Sequence, residues 1–333
     1  MQTKHNSEKA NFRFQRMVAL FGILLFVAKL IAWRITHSDA IFSDAMESIV
    51  NIIAAFMGLY ALYLASKPKD QDHPYGHGKV EFITSGIEGA LIIFAGIVII
   101  VQSVNSLISK NAPQQLDWGM LIIAITAIIN YLLGYISIQK GIKEKSLVLQ
   151  SSGKHLQSDT ITTAGVVLSL LIVYITKIYW LDGIIASIFG VYIIIVGYKI
   201  VRKSLRGIMD EADTGMLSKL ASILHDNRKN EWIDFHNVKI QQFGSRLHID
   251  AHLTLPYYFE LRKAHNEMED AILTVVKHAE RQIEFNFHMD DCKPSSCEIC
   301  LMENCPLRSF PFKKKIEWNA ENITQPDKHT IDN

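Results

Sequence analysis

Six long apolar stretches fill the first two-thirds of the chain, at roughly 14–36, 40–65, 80–108, 116–139, 155–177 and 180–201. Each reaches the ~20 residues that an α-helix, rising about 1.5 Å per residue, needs to cross ~30 Å of hydrocarbon. Polar links part them at His37–Asp39, Ser66–Gly78, Ser109–Asp117 and Gln139–Lys154, with a tight turn near Trp180–Gly183. After Arg206 the pattern becomes that of a soluble domain. Met216, Leu217, Leu220 and Leu224 fall at helical spacing within Glu211–Asn227. Trp232–Gln242 and Arg246–Leu255 alternate like strands around a Phe243-Gly244-Ser245 turn, Glu260–Ala279 predicts a second helix, and Gln282–Phe287 a third strand. The expected fold is an all-α membrane domain of six transmembrane helices followed by a small α+β cytoplasmic domain in the order α-β-β-α-β. The boundaries read as a cytoplasmic N-terminus at 1–13, a membrane domain at 14–206, a cytoplasmic domain at 207–291, a cysteine-rich tail at 292–312, and a polar, disordered stretch at 313–333.

Composition agrees with that division. The chain has 333 residues, 49% of them hydrophobic, and a mean hydropathy of +0.15, too apolar for an ordinary soluble domain yet too charged to lie in lipid throughout. A formal net charge of +1 argues against nucleic acid as a partner. Lysine and arginine are unevenly shared between the two sides of the predicted bundle. Lys4, Lys9, Arg13, Arg16, Lys67, Lys69, Lys79, Lys140, Lys143, Lys145, Lys154, Lys199, Arg202, Lys203 and Arg206 fall on one side, and Arg34, Lys110 and Lys177 on the other. The positive-inside rule then puts both termini in the cytoplasm, in what we read as a bacterial inner membrane. No small-residue cleavage site follows the first apolar run, so it reads as a retained helix rather than a signal peptide. The Asn322-Ile323-Thr324 sequon carries no meaning on the cytoplasmic side.

Chemistry enters at Gly153-Lys154-His155-Leu156-Gln157-Ser158-Asp159-Thr160, ahead of the apolar run Ile161–Ile175. His155 and Asp159 are four residues apart, hence on one helix face. Polar groups inside membrane helices are costly and mark ion paths, and imidazole with carboxylate is a ligand set for zinc-like ions. The second apolar stretch offers a matching pair, Glu47 and Asn51, with Asp44 a turn earlier. Two such pairs facing each other would enclose one ion with four side chains; the competing reading is that they simply pack helices together. Lys29, Glu81 and Glu88 are also ionisable in or beside the spans, and snorkelling or ion pairing would account for them. In the second link, Asp70, His73 and His77 have ligand-like spacing in a turn shaped by Pro74, Gly76 and Gly78, against the alternative of a solvated loop with incidental histidines.

From the first span to Asp290 the chain resembles the cation diffusion facilitator family. The Glu47/Asn51 and His155/Asp159 pairs, the stretch Asp72-His73-Pro74-Tyr75-Gly76-His77-Gly78-Lys79 and the histidines of the cytoplasmic domain carry the likeness. The resemblance implies a transport site at Glu47, Asn51, His155 and Asp159, with Asp44 an alternative ligand, and an accessory loop site at Asp70, His73 and His77. It implies a ferredoxin-like, metallochaperone-like cytoplasmic domain that forms a homodimer and holds metal through His236, His252, His265, His288 and Asp290. His248 and Asp250 share a strand face with His252 and are less secure ligands. Lys79 and Asp210 resemble the family's charged interlock between the two domains. Family members commonly pair two Asp, or Asp with His or Asn, on the second span; here Glu47 precedes Asn51. The resemblance implies that His155 favours zinc and cadmium over manganese, while the departure at Glu47/Asn51 leaves cobalt, iron and manganese open.

Cys292, Cys297, Cys300 and Cys305 stand beyond the resemblance. In a reducing cytosol they are not disulfides, and their number suits a structural zinc site, with inert or redox-sensing thiols as the alternative. The reading that emerges is a divalent-metal efflux transporter, most consistent with zinc, working by proton antiport and alternating access. A membrane-bound metal sensor without transport and a membrane metalloenzyme are the rivals. The chain carries no H-E-x-x-H motif and no nucleotide-binding glycine-rich loop, so it is not read as an enzyme.

Overall fold

Long apolar runs free of helix-breaking proline make six helices of 26 to 35 residues. The computed structural model describes residues 2–36, 39–109, 118–176, 180–279 and 281–331. It divides into two compact units, Met1–Ile208 and Met209–Asn333. The first holds α1 (Gln2–Thr36), α2 (Asp39–Ala65), α3 (Val80–Ser109), α4 (Trp118–Lys143), α5 (Leu147–Thr176) and α6 (Trp180–Ile208). Within the described residues, Ala10–Ile31 and Val80–Val101 are long and apolar enough to cross a membrane, at mean hydropathies of 1.9 and 2.2. Residues 2–13, ahead of the first apolar run, are already helical, since α1 begins at Gln2.

Small residues set the helix spacing. A Cβ on Gly153 of α5 would sit 2.7 Å from the Gly134 carbonyl oxygen of α4, and one on Gly134 would meet the Gly153 carbonyl at 2.8 Å. The same reciprocity joins α3 to α6, where a Cβ on Gly197 would lie 2.8 Å from the Gly89 carbonyl and one on Gly96 would lie 2.9 Å from the Gly190 carbonyl. Lipid tails offer no hydrophobic contrast between helices, so such close backbone contact supplies much of their attraction.

Polar side chains inside this unit are buried and partnered, so of the two accounts of Lys29, Glu81 and Glu88, snorkelling to the surface does not apply. All three are buried. Lys29 Nζ donates to Ser48 Oγ at 2.9 Å. Glu81 Oε2 accepts from Ser146 Oγ at 2.9 Å and from the Leu147 backbone N–H at 3.0 Å, so a carboxylate of α3 caps the N-terminus of α5. That cap starts α5 eight residues before His155, inside the stretch 139–154 that its charges mark as a link. Glu88 Oε1 accepts from Ser152 Oγ at 2.9 Å, and Gln15 Nε2 of α1 reaches the same hydroxyl at 3.4 Å.

The second unit contains α7 (Thr214–Asp226), β1 (Asp234–Phe243), β2 (Arg246–Leu255), α8 (Leu261–His278) and β3 (Gln282–Asp291). The strands order β1-β2-β3, with β1 antiparallel and β3 parallel to β2. Asp213 caps α7, accepting from the Gly215 and Met216 N–H groups at 3.0 and 3.1 Å. Leu217, Leu220 and Leu224 of α7 pack with Trp232, Phe235, Ile249, Leu253 and Val275 in one core.

The described part of the last stretch, 313–331, is not the disordered tail its composition suggests. Ile323 is fully buried and Trp318 nearly so, both in that same core. Trp318 lies 5.8 Å from the Phe235 ring, and the Arg228 guanidinium stacks 4.1 Å from its centroid. The reason is local to β1, an edge strand whose register shifts between His236 and Lys239. The shift leaves backbone donors without a strand partner, and the tail supplies acceptors: Asn237 N–H donates to Gln325 O at 2.7 Å and Val238 N–H to Ile323 O at 2.9 Å.

Three substitutions check these packing arguments. Gly153→Ala should destabilise the helical unit by about 1–3 kcal/mol, the usual cost of overpacking, as read by thermal unfolding in detergent. Gly22→Ala, whose added Cβ meets nothing nearer than Ile52 Cγ1 at 3.9 Å, should leave the transition unchanged. Trp318→Ala should cost about 3–5 kcal/mol in denaturant unfolding and open the Asn237 and Val238 amides to hydrogen exchange.

Candidate metal centres

The i, i+4 spacing on α5 puts His155 and Asp159 on the face that meets Asn51 of α2. Asn51 bridges them: His155 Nε2 lies 2.6 Å from Asn51 Oδ1, while Asn51 Nδ2 donates to Asp159 Oδ2. With the carboxamide oxygen turned to the imidazole, Nε2 is the nitrogen that carries a proton. His155 is buried, and Asn51 and Asp159 are half-buried. Thr163 Oγ1 donates to the Asp159 backbone carbonyl at 2.9 Å and steadies the next turn. Three of the four residues expected at the transport site therefore converge. The side chains of Asp44 and Glu47 lie outside the described residues.

The link after α2 folds around Asp70. Its Oδ1 accepts from the His73 backbone N–H at 2.7 Å and lies 3.1 Å from His73 Nδ1; its Oδ2 lies 3.3 Å from His77 Nε2. The two imidazoles stand 4.2 Å apart. Gly76, at φ 88°, makes the turn that brings them together. Desolvation pushes the Asp70 carboxyl up, but the His73 hydrogen bonds and the nearby His77 prevail and hold it below its ordinary value.

Strand register builds the third cluster. His236 pairs with His252 across β1 and β2, and His252 with His288 across β2 and β3, so three histidines form one row over the sheet. Their rings are 5.2 and 4.8 Å apart. Asp290 serves all three: Oδ2 lies 3.2 Å from His236 Nε2 and 3.3 Å from His252 Nδ1, and Oδ1 lies 2.8 Å from His288 Nδ1. Among the described residues, Asp70–His73–His77 and His236–His252–Asp290 are the sets whose ligand atoms lie within 4.8 Å of one another. His265 is not brought to this row within one chain; it stands on the exposed face of α8, 3.4 Å from Glu269. His248 and Asp250 face each other at 3.3 Å, and Asn286 Nδ2 donates to Asp250 at 2.9 Å. The four cysteines of the tail line a cavity of their own.

The cation efflux transmembrane domain family matches residues 16–209. An uncharacterized transporter of Synechocystis is 32% identical over 249 residues, 74% of this chain and 80% of that protein. The cation-efflux pump FieF of Shewanella oneidensis is 23% identical over 81% of this chain and 90% of its own length. The manganese efflux system protein MneP of Bacillus subtilis is 22% identical over 76% of this chain and 88% of its own. The chain belongs to the cation diffusion facilitator family. It is a membrane transporter of cations, and the resemblance drawn from Glu47, Asn51, His155 and Asp159 identifies the family correctly.

Behind the facilitator's histidine row lie residues that sequence reading passes over. Asp234 Oδ2 lies 3.2 Å from His236 Nδ1 and Oδ1 lies 2.5 Å from His329 Nδ1, with all three residues buried. A carboxylate on one imidazole nitrogen leaves the other, His236 Nε2, turned toward His252 and Asp290, the outer-sphere arrangement that orients histidine ligands. On the far side, Asn237 Nδ2 lies 2.9 Å from His252 Nε2, so the Nδ1 of that ring faces Asp290. The donor set suits a borderline divalent ion. Asp234 and His236, two apart on one strand, carry a legible signal; His329, 95 residues away, carries none.

Burial pushes the Asp234 carboxyl up, but hydrogen bonds from His236 and His329 outweigh it and hold the group well below the usual carboxylate range. Desolvation lowers His329, and Asp234 more than reverses this, leaving it raised. Asp234 thus contributes stability that is complete above about pH 3.9 and is lost as pH falls through its folded value. His329 contributes stability that is complete below about pH 6.5 and is lost as pH rises through its raised folded value. The pair is strongest between these limits. His329→Gln should lower stability by about 1–3 kcal/mol at pH 6 and remove the decline that the parent shows as pH rises above neutrality, measured by denaturant unfolding at a series of pH values.

Proposed function

We propose that this facilitator exports zinc from the cytoplasm in exchange for protons, through a bundle of six membrane-spanning helices with both termini inside. In this reading Glu47, Asn51, His155 and Asp159 hold the transported ion, with Asp44 the alternative to Glu47. The supporting observation is that one carboxamide, Asn51, ties His155 to Asp159 across α2 and α5. A divalent ion can take that place only by using the lone pair of His155 Nε2 and the Asp159 carboxylate, so the proton on Nε2 has to leave. Loading the imidazolium form releases a proton to water, whereas a neutral ring only shifts its proton to Nδ1, so metal and proton exchange one for the other where the empty site is protonated. A two-state rocking of the bundle, biased by which ligand is bound, carries the ion outward.

Energetics favour coupling. Expelling a divalent ion against ~100 mV, inside negative, costs about 4.6 kcal/mol at about 2.3 per charge, and each returning proton offsets about half of that. Imidazole with carboxylates suits zinc and cadmium, while a site with a neutral amide is also open to cobalt, iron and manganese. Manganese is the sharpest competitor, since a relative bears that name.

The same reading takes Asp70, His73 and His77 as an accessory site near the membrane. It takes His236, His252, His288 and Asp290 as a sensing site, joined by His265, in a homodimer. Lys79 and Asp210 act as a charged interlock; Asp210, at φ 53°, accepts from Gln241 at 3.2 Å.

Inverted vesicles loaded with a pH dye test transport directly. Zinc added outside should accumulate while the lumen turns alkaline, and His155→Ala with Asp159→Ala should slow accumulation more than about tenfold, the scale that even an outer-sphere change produces. Accumulation without a pH signal would reject antiport; binding without accumulation would make the protein a sensor. Faster uptake of manganese than zinc would overturn the choice of ion.

A further inference from the structure

Cys292, Cys297, Cys300 and Cys305 are all reduced and line a single cavity of about 240 Å³. Its walls come from the stretch that follows β3, from Cys292 to Ser309, together with Pro256–Tyr257 after β2 and Ile233 just before β1. A fourteen-residue stretch could scatter its sulfurs over the surface. Instead three of the four meet a backbone N–H. Cys292 Sγ accepts from that of Tyr257, and Cys300 Sγ from that of Met302. Cys297 Sγ accepts from the Ser309 N–H at 3.4 Å, while the Tyr258 hydroxyl donates to Met302 Sδ at 3.9 Å.

Neutral thiols are weak acceptors and need no such provision; thiolates do, and N–H groups aimed at sulfur are the outer sphere of a metal–thiolate centre. Arg308 adds a positive charge beside them. Its guanidinium donates to the carbonyls of Cys297 at 2.8 Å, Cys300 at 3.1 Å and Met302 at 2.5 Å, fixing the loop that carries the central Cys-x-x-Cys. Four thiolates in one cavity repel one another, and a dication among them would turn that repulsion into attraction.

We propose that the four cysteines form a tetrathiolate site for one soft or borderline divalent ion, zinc or cadmium, and that the ion staples the segment after β3 to the loop after β2. The site is separate from transport, so it stands whether or not zinc is the exported ion. The sulfurs line the cavity wall without forming a set within 4.8 Å, so binding draws them inward. Hard cations such as magnesium are excluded by the ligand type.

Cobalt is the probe, because sulfur-to-cobalt charge transfer in the near ultraviolet arises from thiolate ligands alone. The full chain in detergent, stripped with chelator under reducing conditions, should develop that absorption up to one ion per chain, and zinc should bleach it. Cys297→Ser with Cys300→Ser should abolish the band, whereas His155→Ala with Asp159→Ala, or His236→Ala with His252→Ala, should leave it intact. A parent protein without the band, or a band that survives the cysteine double variant, would overturn the site. Thiol alkylation of the unmodified protein gives an independent reading. Zinc should slow modification of all four cysteines by more than about tenfold, and equal rates with and without zinc, or bridged cysteines in the reduced preparation, would overturn it as well.

Discussion

Inside an apolar bundle each polar atom must find a partner, and here the partners lie on other helices. Asn51 is the sharpest case: its amide satisfies an imidazole on one side and a carboxylate on the other, both from α5. Left alone, either group would face a desolvation cost of several kcal/mol. Paired, they fix the register of α2 against α5 and keep the three side chains together. Glu81 applies the same logic one level down. Its carboxylate closes the N-terminus of α5, sets where that helix begins, and so sets how far down the helix His155 comes.

Glycine pairs let this polar framework close. Gly134 against Gly153 brings the backbones of α4 and α5 together two residues before His155, and the Gly89/Gly197 and Gly96/Gly190 contacts do the same for α3 and α6. Ser151, Ser152 and Ser85 then fill the space between helices, with hydroxyls that both pack small and hydrogen-bond.

The second unit solves a similar problem with strands. Three histidines meet because β1, β2 and β3 bring positions 236, 252 and 288 into one row, and Asp290 joins them from the same face. Behind the row, Asp234 orients His236 and is itself held by His329 from the tail. The last stretch of the chain is therefore part of the domain that carries the histidines. It covers an irregular edge strand and buries Trp318 and Ile323 in the common core.

Much of this was legible in the order of residues. Four-residue spacing put His155 with Asp159 and Glu47 with Asn51 on shared helix faces, because an α-helix repeats every 3.6 residues whatever surrounds it. Alternation announced the three strands, and charge asymmetry suggested an orientation. The start of α5, the fate of Glu88 and the order in 313–331 were not legible, since each depends on a partner far along the chain: Glu81 for Leu147, Ser152 for Glu88, Val238 for Ile323. His329 against Asp234 is the extreme, two residues linked only through space. Local periodicity determined the elements and the chemistry each one carries. Tertiary packing decided which of those groups meet, because hydrogen bonds and desolvation act between atoms in contact, however far apart they lie in the chain.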